Sequence, residues 1–328
     1  MGKEPATAAT GSQSETRGRN DRVAQLPWGV TQPLGRRHRI AGPLGYFEHK
    51  VMAERHASVA PEEITDELLP VVDALGLVEN CHRLASEGYT IVENAADAEF
   101  VARLRKTILE SVPAHDPGSS SLAGKRILAE DSLFAEAAMN PVVMAMAEFS
   151  VGRGFLLGSH IPSIHVSGEP ALELHSDEQM FPAPLPVHNM MLTACWVTDE
   201  FTEAGGATRV VPGSNKHLRH PTEDEIAASR GAIPMVCPVG SIVFWDGRVW
   251  HGNYARTLGE ERVVLHATYY RLLMRPADDY SDIAEDLVEK YGSRMSQLLG
   301  LDDYMYKKRF DYAKDYARFE QTLINARS

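Results

Sequence analysis

Leu172-Glu173-Leu174-His175-Ser176-Asp177 is the stretch on which the reading of this chain turns. The residues before His175 have β character, and on a strand two residues that are two apart share a face. His175 and Asp177 therefore project to the same side. An imidazole and a carboxylate on one face, joined by a second imidazole from a distant strand, make three facial ligands suited to a non-haem Fe(II) with open coordination positions. The candidate for that second imidazole is His251, delivered by the strand-and-turn run Gly240-Ser241-Ile242-Val243-Phe244-Trp245-Asp246-Gly247-Arg248-Val249-Trp250-His251-Gly252. Arg262 follows His251 and opens a further strand-like run. A fixed guanidinium near such a metal suits a dicarboxylate co-substrate, because its planar fork grips a carboxylate through two hydrogen bonds.

Outward from this stretch the middle of the chain is a series of short segments rich in β-branched and aromatic residues: 155–166, 171–175, 190–197, 207–211, 234–238, 241–245 and 263–271. Gly, Pro and Asp turns separate them. Many short strands with turn punctuation predict a mainly β fold, a sandwich or jelly-roll barrel, and not βαβ winding. Helices flank it. Helical spacing or start signals mark 46–57, a helix opening at Pro61-Glu62-Glu63, then 77–86 ending at Gly88, 97–112, one or two helices over 131–149 around Pro141, and 283–299. A short β run, Tyr89-Thr90-Ile91-Val92, sits among them. The last expected helix, 302–327, carries Tyr306, Phe310, Tyr312, Tyr316 and Phe319 near helical spacing, a packing face for the core or for a homodimer contact. The domain plan is a loosely docked or disordered tail over 1–44 and one domain over 45–328. That domain divides into a helical lead-in at 45–150, a β core at 151–275 and C-terminal helices at 276–328.

Composition narrows the classes of function. A net charge of −12 argues against a nucleic-acid partner, since phosphate backbones are bound by clustered Lys and Arg. Cys81, Cys195 and Cys237 are widely spaced and give neither a disulfide framework nor a paired zinc motif, which points to a reducing, cytoplasmic setting. No apolar run is long enough to span a bilayer, and the polar N-terminus lacks a signal-peptide core, so no membrane partner is expected.

Four segments together resemble a known family. They are Leu174-His175-Ser176-Asp177, then Gly205-Gly206-Ala207-Thr208-Arg209-Val210-Val211-Pro212-Gly213-Ser214-Asn215, then Asp246-Gly247-Arg248-Val249-Trp250-His251-Gly252, and Arg262. In this combination the chain is similar to the phytanoyl-CoA dioxygenase-like (PhyH) branch of the Fe(II)/2-oxoglutarate-dependent oxygenases, from about Gly88 to Leu301. The resemblance implies a double-stranded β-helix (jelly-roll, cupin-like) core. It implies Fe(II) held by His175, Asp177 and His251, the distal carboxylate of 2-oxoglutarate on Arg262, and further co-substrate contacts from Thr208 and Trp196. It also implies O2 as co-substrate and oxidation of a small organic molecule with release of succinate and CO2. Asp177 stands where halogenating relatives carry a small residue, so oxygenation is expected. Two departures are visible: Asn215 replaces the histidine that often follows Pro-Gly-Ser, and Asn253 and Arg256 alter the segment after His251-Gly252. Three other readings stay open: an acyl-CoA hydroxylase of the same mechanism, a cupin-like metalloenzyme without 2-oxoglutarate, and a catalytically silent β-helix binding protein. Arg262 weighs against the second and the intact triad against the third.

Other residues divide between chemistry and packing. His160 and His165 precede the metal strand and face either the substrate or the core. His188, His217 and His220 lie near turns and read as solvated. His266 shares the Arg262 face on a regular strand, next to the site. Glu178 and Gln179 are candidates for the mouth of the site. Trp245 and Trp250 read as packing residues, and Arg248 as a salt bridge holding its turn, with an anionic substrate group as its alternative partner.

Overall fold

The computed structural model describes residues 62–111 and 127–301. The 1–44 tail and the helices expected at 46–57 and 302–327 lie outside the described residues.

The helices form where apolar spacing and caps coincide. After α1 (Leu69–Ala74), α2 (Val78–Glu87) buries Cys81 and Leu84 and stops at Gly88, which is left-handed with φ 80°. The short strand β1 (Tyr89–Val92) follows. In α3 (Ala98–Ser111) the buried positions are Val101, Leu104 and Ile108, and Asp97 accepts the Phe100 N–H at 2.7 Å. Asp131 caps α4 (Ser132–Ala138), while Asn140 and Pro141 open α5 (Pro141–Val151). The start expected at Pro61-Glu62-Glu63 is not used. Glu62 has φ 61°, its carboxylate is held by Arg248, and the helix begins at Leu69.

The strands are β2 (Leu156–His165), β3 (Leu172–His175), β4 (Met191–Val197), β5 (Thr208–Val210), β6 (Ile233–Pro234), β7 (Ile242–Asp246), β8 (His251–Asn253) and β9 (Arg262–Tyr270). The short α6 (Glu223–Ala228) sits between β5 and β6, with a complete capping box on Thr222 and Glu225. Beyond β9, the helix expected over 283–299 is two, α7 (Ala284–Tyr291) and α8 (Ser293–Leu298), because Gly292 between them takes φ 80°. The strand expected over 234–238 is cut to Ile233–Pro234. Pro234 and Pro238 have no N–H to give to a ladder, and Cys237 makes an isolated bridge to Phe201.

Pairing builds a five-stranded sheet in the order β1-β7-β4-β9-β2 and a four-stranded sheet in the order β3-β8-β5-β6, with antiparallel pairs throughout. This is a double-stranded β-helix with flanking helices. Alternation along the strands sorts the large sheet's two faces. Leu192, Ala194, Trp196, Phe244, Leu265, Ala267 and Tyr269 join the helices in the main core. Cys195, Val197, Val243, Trp245 and Val264 turn inward and pack with Val210 of the small sheet. Because β4 and β9 are buried on both faces, they read as continuous apolar runs, which hides which side is the inside.

Candidate active site

β3 is the edge strand of the small sheet and ends on His175; its neighbour β8 begins on His251. The register places these two residues directly opposite, with ring centroids 4.4 Å apart. Gly252 makes that approach close. A Cβ there would overlap the Leu172 carbonyl oxygen and stand 2.7 Å from that of Glu173. Asp177 lies just past the strand, its Oδ1 3.7 Å from His175 Nε2 and 3.5 Å from His251 Nε2. One candidate ligand atom from each of the three residues falls within 4.8 Å of the others.

The donor set suits a divalent metal. His175 Nδ1 lies 3.0 Å from the Glu173 carbonyl oxygen and His251 Nδ1 3.1 Å from that of Val249. A carbonyl only accepts, so both protons belong on Nδ1 and both lone pairs on Nε2, toward Asp177 Oδ1. The other carboxylate oxygen is occupied: Trp245 Nε1 donates to Asp177 Oδ2 at 2.9 Å and Thr193 Oγ1 at 3.3 Å. Burial opposes ionisation of Asp177, but the neighbouring His251 and His175 and the Trp245 hydrogen bond outweigh it and hold the carboxyl below its ordinary value. Burial lowers the His251 pKa, which favours the neutral, ligating form.

Arg262, Val264, His266, Thr268 and Tyr270 alternate with the core-facing Val263, Leu265, Ala267 and Tyr269, and so share the inner face of β9. Arg262 is 1% exposed. It lies over the Phe201 ring and donates from Nη1 to the Gly206 carbonyl, yet its Nε has no partner and it forms no ion pair among the described residues. Burial pushes its pKa down to about 10, so it is a cation at neutral pH with no carboxylate on it. His266 stands on the same face, edge-on to Trp245 at 5.7 Å, with burial pushing it down to about 3 and so neutral. Thr208 shares the face of Val210, opposite Asn253, and is buried. Trp196 is not brought to the site. It points out of the barrel into the helix-side core, against Phe100 at 5.3 Å, because its neighbours Cys195 and Val197 take the inner face.

Several side chains do more than their sequence context suggests. Trp245 bonds Asp177 and also lies 5.1 Å from the His251 ring, so it touches two of the three candidate ligands. His220 is not simply solvated: Nδ1 is 2.7 Å from Ser176 Oγ and Nε2 2.8 Å from the Phe181 carbonyl oxygen, which ties down the loop carrying Asp177. Glu178 is fully buried and accepts the Met190 N–H at 2.8 Å, so it braces the site from behind. Arg248 is paired with Asp246 and Glu62. His165 lies opposite Arg262 and 2.9 Å from Glu169, whereas His160 is sealed in the helix-side core. Beside the outer edge of β3 a groove of 550 Å³ reaches His175, lined also by Leu174, Gln179, His220 and Ile226.

Comparison with known proteins agrees with this geometry. The family model described as phytanoyl-CoA dioxygenase (PhyH) matches residues 84–263, more than half of the 328-residue chain. Among characterised sequences, the chain is 27% identical over 202 residues to Dioxygenase af480 of Aspergillus fumigatus. That match covers 61% of this chain and 65% of the fungal protein, just under two thirds of its length. Among solved structures, EctD from S. alaskensis with bound Fe has a TM-score of 0.52 at 19% identity, over 61% of this chain and 80% of that one. The non-heme alpha ketoglutarate dependent epimerase SnoN from nogalamycin biosynthesis has a TM-score of 0.50 at 19% identity, over 63% and 89%. At these identities the structural likeness speaks for the fold.

Proposed function

Because the chain belongs to the phytanoyl-CoA dioxygenase family of non-haem iron, 2-oxoglutarate-dependent dioxygenases, we propose that it oxidises a small organic metabolite, with Fe(II) held by His175, Asp177 and His251 and 2-oxoglutarate held by Arg262. The observation that carries this reading is the Arg262 guanidinium: buried, charged, and without a carboxylate among the described residues, on the inner face that leads to the triad. Glu169 and Asp199 act on this cation only through space, and a buried cation without a direct carboxylate partner is costly, which a dicarboxylate co-substrate relieves. The same observation sets aside a cupin-like enzyme without 2-oxoglutarate.

Iron bound at the triad supplies the chemistry that turns 2-oxoglutarate and O2 into succinate, CO2 and an oxidised product. The protein's own contribution is orientation and exclusion of water. The Glu173 and Val249 carbonyls hold both imidazoles in the ligating tautomer. Trp245 and Thr193 fix Asp177 through the oxygen that faces away from the histidines. Arg262 grips the distal carboxylate, and Thr208 stands on the same inner surface as a further contact. Neutral His266 adds a polar wall between the arginine and Trp245 without adding charge. His175 and Asp177 keep side-chain exposures of 26% and 23%, so the metal face opens to incoming substrate. The groove reaching His175 has Glu173 as the charged residue in its lining and no Lys or Arg, which favours a metabolite without CoA.

The test is succinate release. Purified full-length protein given Fe(II), 2-oxoglutarate and O2 should turn over slowly in the absence of a primary substrate and stop when iron is chelated. Asp177→Ala should abolish release while far-UV circular dichroism stays unchanged. Undiminished release from Asp177→Ala would refute the assignment.

A further inference from the structure

The groove that reaches His175 runs along the outer edge of β3. Leu172, Glu173, Leu174, His175 and Ser176 all line it. Successive residues of a strand point to opposite faces, so a space that touches consecutive residues lies beside the strand's edge. β3 is the last strand of its sheet, with β8 on one side and no strand on the other. The groove therefore meets the backbone of β3 as well as its side chains.

That backbone is irregular. Leu172 pairs with Asn253 and His175 with His251, so β3 carries one residue more than β8 between the two pairs, which is a β-bulge. The carbonyl oxygens of both Leu172 and Glu173 point toward β8, where they crowd the space left by the missing side chain of Gly252. The Leu172 oxygen accepts from Arg209 Nη2 at 3.0 Å, and the Glu173 oxygen lies 3.0 Å from His175 Nδ1. In a trans peptide the N–H points opposite to the C=O, and the cis bond of the described residues is elsewhere, at Ala183-Pro184. The N–H groups of Glu173 and Leu174 therefore both point away from β8, toward the groove, and neither has an acceptor among the described residues. A regular strand alternates the direction of its N–H groups; the bulge puts two successive donors on one side.

The walls around these donors are apolar: Leu172, Leu174, Pro221 and Ile226. His220 adds a ring with no free polar atom. The Phe181 carbonyl only accepts, so Nε2 carries the proton and Nδ1 accepts from the Ser176 hydroxyl. The Glu173 carboxylate makes no hydrogen bond or ion pair among the described residues. The neighbouring cations are committed. Arg209 serves the Leu172 carbonyl, the Ser229 hydroxyl and the Tyr254 ring, and Arg219 serves Glu225 and the Trp250 ring. Lys216 and Arg230 are exposed and outside the lining, while Glu223 and Asp224 add acid at the start of α6.

We propose that the paired N–H groups of Glu173 and Leu174 seat the carbonyl oxygen of the primary substrate, so that the substrate is a largely apolar ketone, ester or amide without a negative charge. A carbonyl oxygen has two lone pairs for the two donors. A carboxylate could use the same donors, but the unpaired Glu173 side chain beside them repels it. The volume of 550 Å³ suits a small molecule, and apolar walls with a few placed polar groups are the usual make-up of such sites. The inference rests on the oxygenase reading above, which makes the metal on His175 the reacting centre; a carbonyl seated next to His175 along the strand brings its neighbouring atoms to that metal.

The test needs no knowledge of the natural substrate. Deuterated, 15N-labelled full-length protein, given 2-oxoglutarate and Zn(II) as a diamagnetic stand-in for iron, is titrated with three bicyclic probes. These are 2-acetonaphthone, its olefin isostere 2-isopropenylnaphthalene, and 2-naphthoate. The ketone should move the Glu173 and Leu174 amide proton signals downfield and slow their exchange with solvent. The isostere, which fills the same space but accepts no hydrogen bond, should bind about fivefold more weakly, the worth of one hydrogen bond. The naphthoate should also bind more weakly than the ketone. Because the Glu173 N–H points away from β8, proline there removes the donor without breaking the ladder. Glu173→Pro should weaken the ketone about fivefold and leave the isostere unchanged. Glu173→Gln keeps the donor and removes the charge, so it should leave the ketone unchanged and strengthen the naphthoate. Unmoved Glu173 and Leu174 signals, an isostere as tight as the ketone, or a naphthoate indifferent to Glu173→Gln would each overturn the proposal, even where Glu173→Pro fails to fold. The visible band of the Fe(II)–2-oxoglutarate complex, recorded anaerobically on the same protein, keeps the two readings apart. A band without ketone binding in the groove overturns this inference alone; ketone binding without a band overturns the oxygenase reading and leaves the ligand class standing.

Discussion

At the scale of single residues, the chemistry of this protein depends on which atom of each side chain is free. Asp177 has one oxygen facing two imidazole nitrogens because its other oxygen is taken by Trp245 and Thr193. Trp245→Phe keeps the ring and removes that donor. Iron affinity is therefore expected to fall about 10- to 100-fold, as for other partners of metal ligands, with the fold intact; competition with a chromogenic chelator measures it. His160 gives a prediction of another kind. It is buried with both ring nitrogens unpartnered, and burial pushes its pKa down to about 3 from 6.5. Between those values the unfolded chain binds a proton that the folded chain refuses, so stability falls as pH drops through that window. In His160→Phe the slope of urea stability against pH between 4 and 6 should be shallower by up to about 1.4 kcal/mol per pH unit. The ligand candidates and Arg262 were readable in the sequence only through the combination of segments that carries them, since a His-X-Asp pair alone is a weak signal. Trp245 was not, since a tryptophan in an apolar run looks the same whether it fills a core or bonds a ligand.

At the scale of elements, the site depends on how closely two short strands approach. β8 lies against the edge strand β3 with a glycine at the point of contact, and that contact sets His251 opposite His175. Gly252→Ala forces a methyl group against two backbone carbonyls, which cannot move aside as a flexible side chain can. The expected outcome is a folded protein with the two imidazoles spread apart and iron affinity reduced at least tenfold, as measured by equilibrium dialysis against Fe(II) under nitrogen. Periodicity located most elements to within a residue or two. It failed where long-range contacts overrule local signals: Glu62 starts no helix because Arg248 holds it, and Gly292 divides what reads as one helix. β8, with three residues, carries no periodicity at all, and because both faces of β4 are buried nothing in that strand's pattern tells that Trp196, expected as a co-substrate contact, faces the helix-side core.

At the scale of the whole molecule, the barrel is a scaffold with unmatched charge inside it. Among the described residues no helix is long and apolar enough to cross a membrane, and the helices instead bury one face of the large sheet. Inside, the Arg262 cation forms no ion pair among the described residues, and the Asp177 carboxylate faces the two imidazole nitrogens of His175 and His251. Ligands that bind only the folded state stabilise it, by about 2.7 kcal/mol at a hundred times Kd. Anaerobic Fe(II) with saturating 2-oxoglutarate should therefore raise Tm by roughly 5–10 °C. In Arg262→Ala the increment from 2-oxoglutarate should vanish while that from the metal remains. The central claim, that triad and arginine serve one bound pair, is tested most directly by anaerobic absorption spectroscopy. Fe(II) and then 2-oxoglutarate are added to metal-free protein, and the charge-transfer band of the chelated keto acid is followed. The account predicts a band in the wild type, its loss in His251→Ala, and a much higher 2-oxoglutarate requirement in Arg262→Ala. A band of undiminished intensity in His251→Ala, or none in the wild type with iron bound, would contradict it.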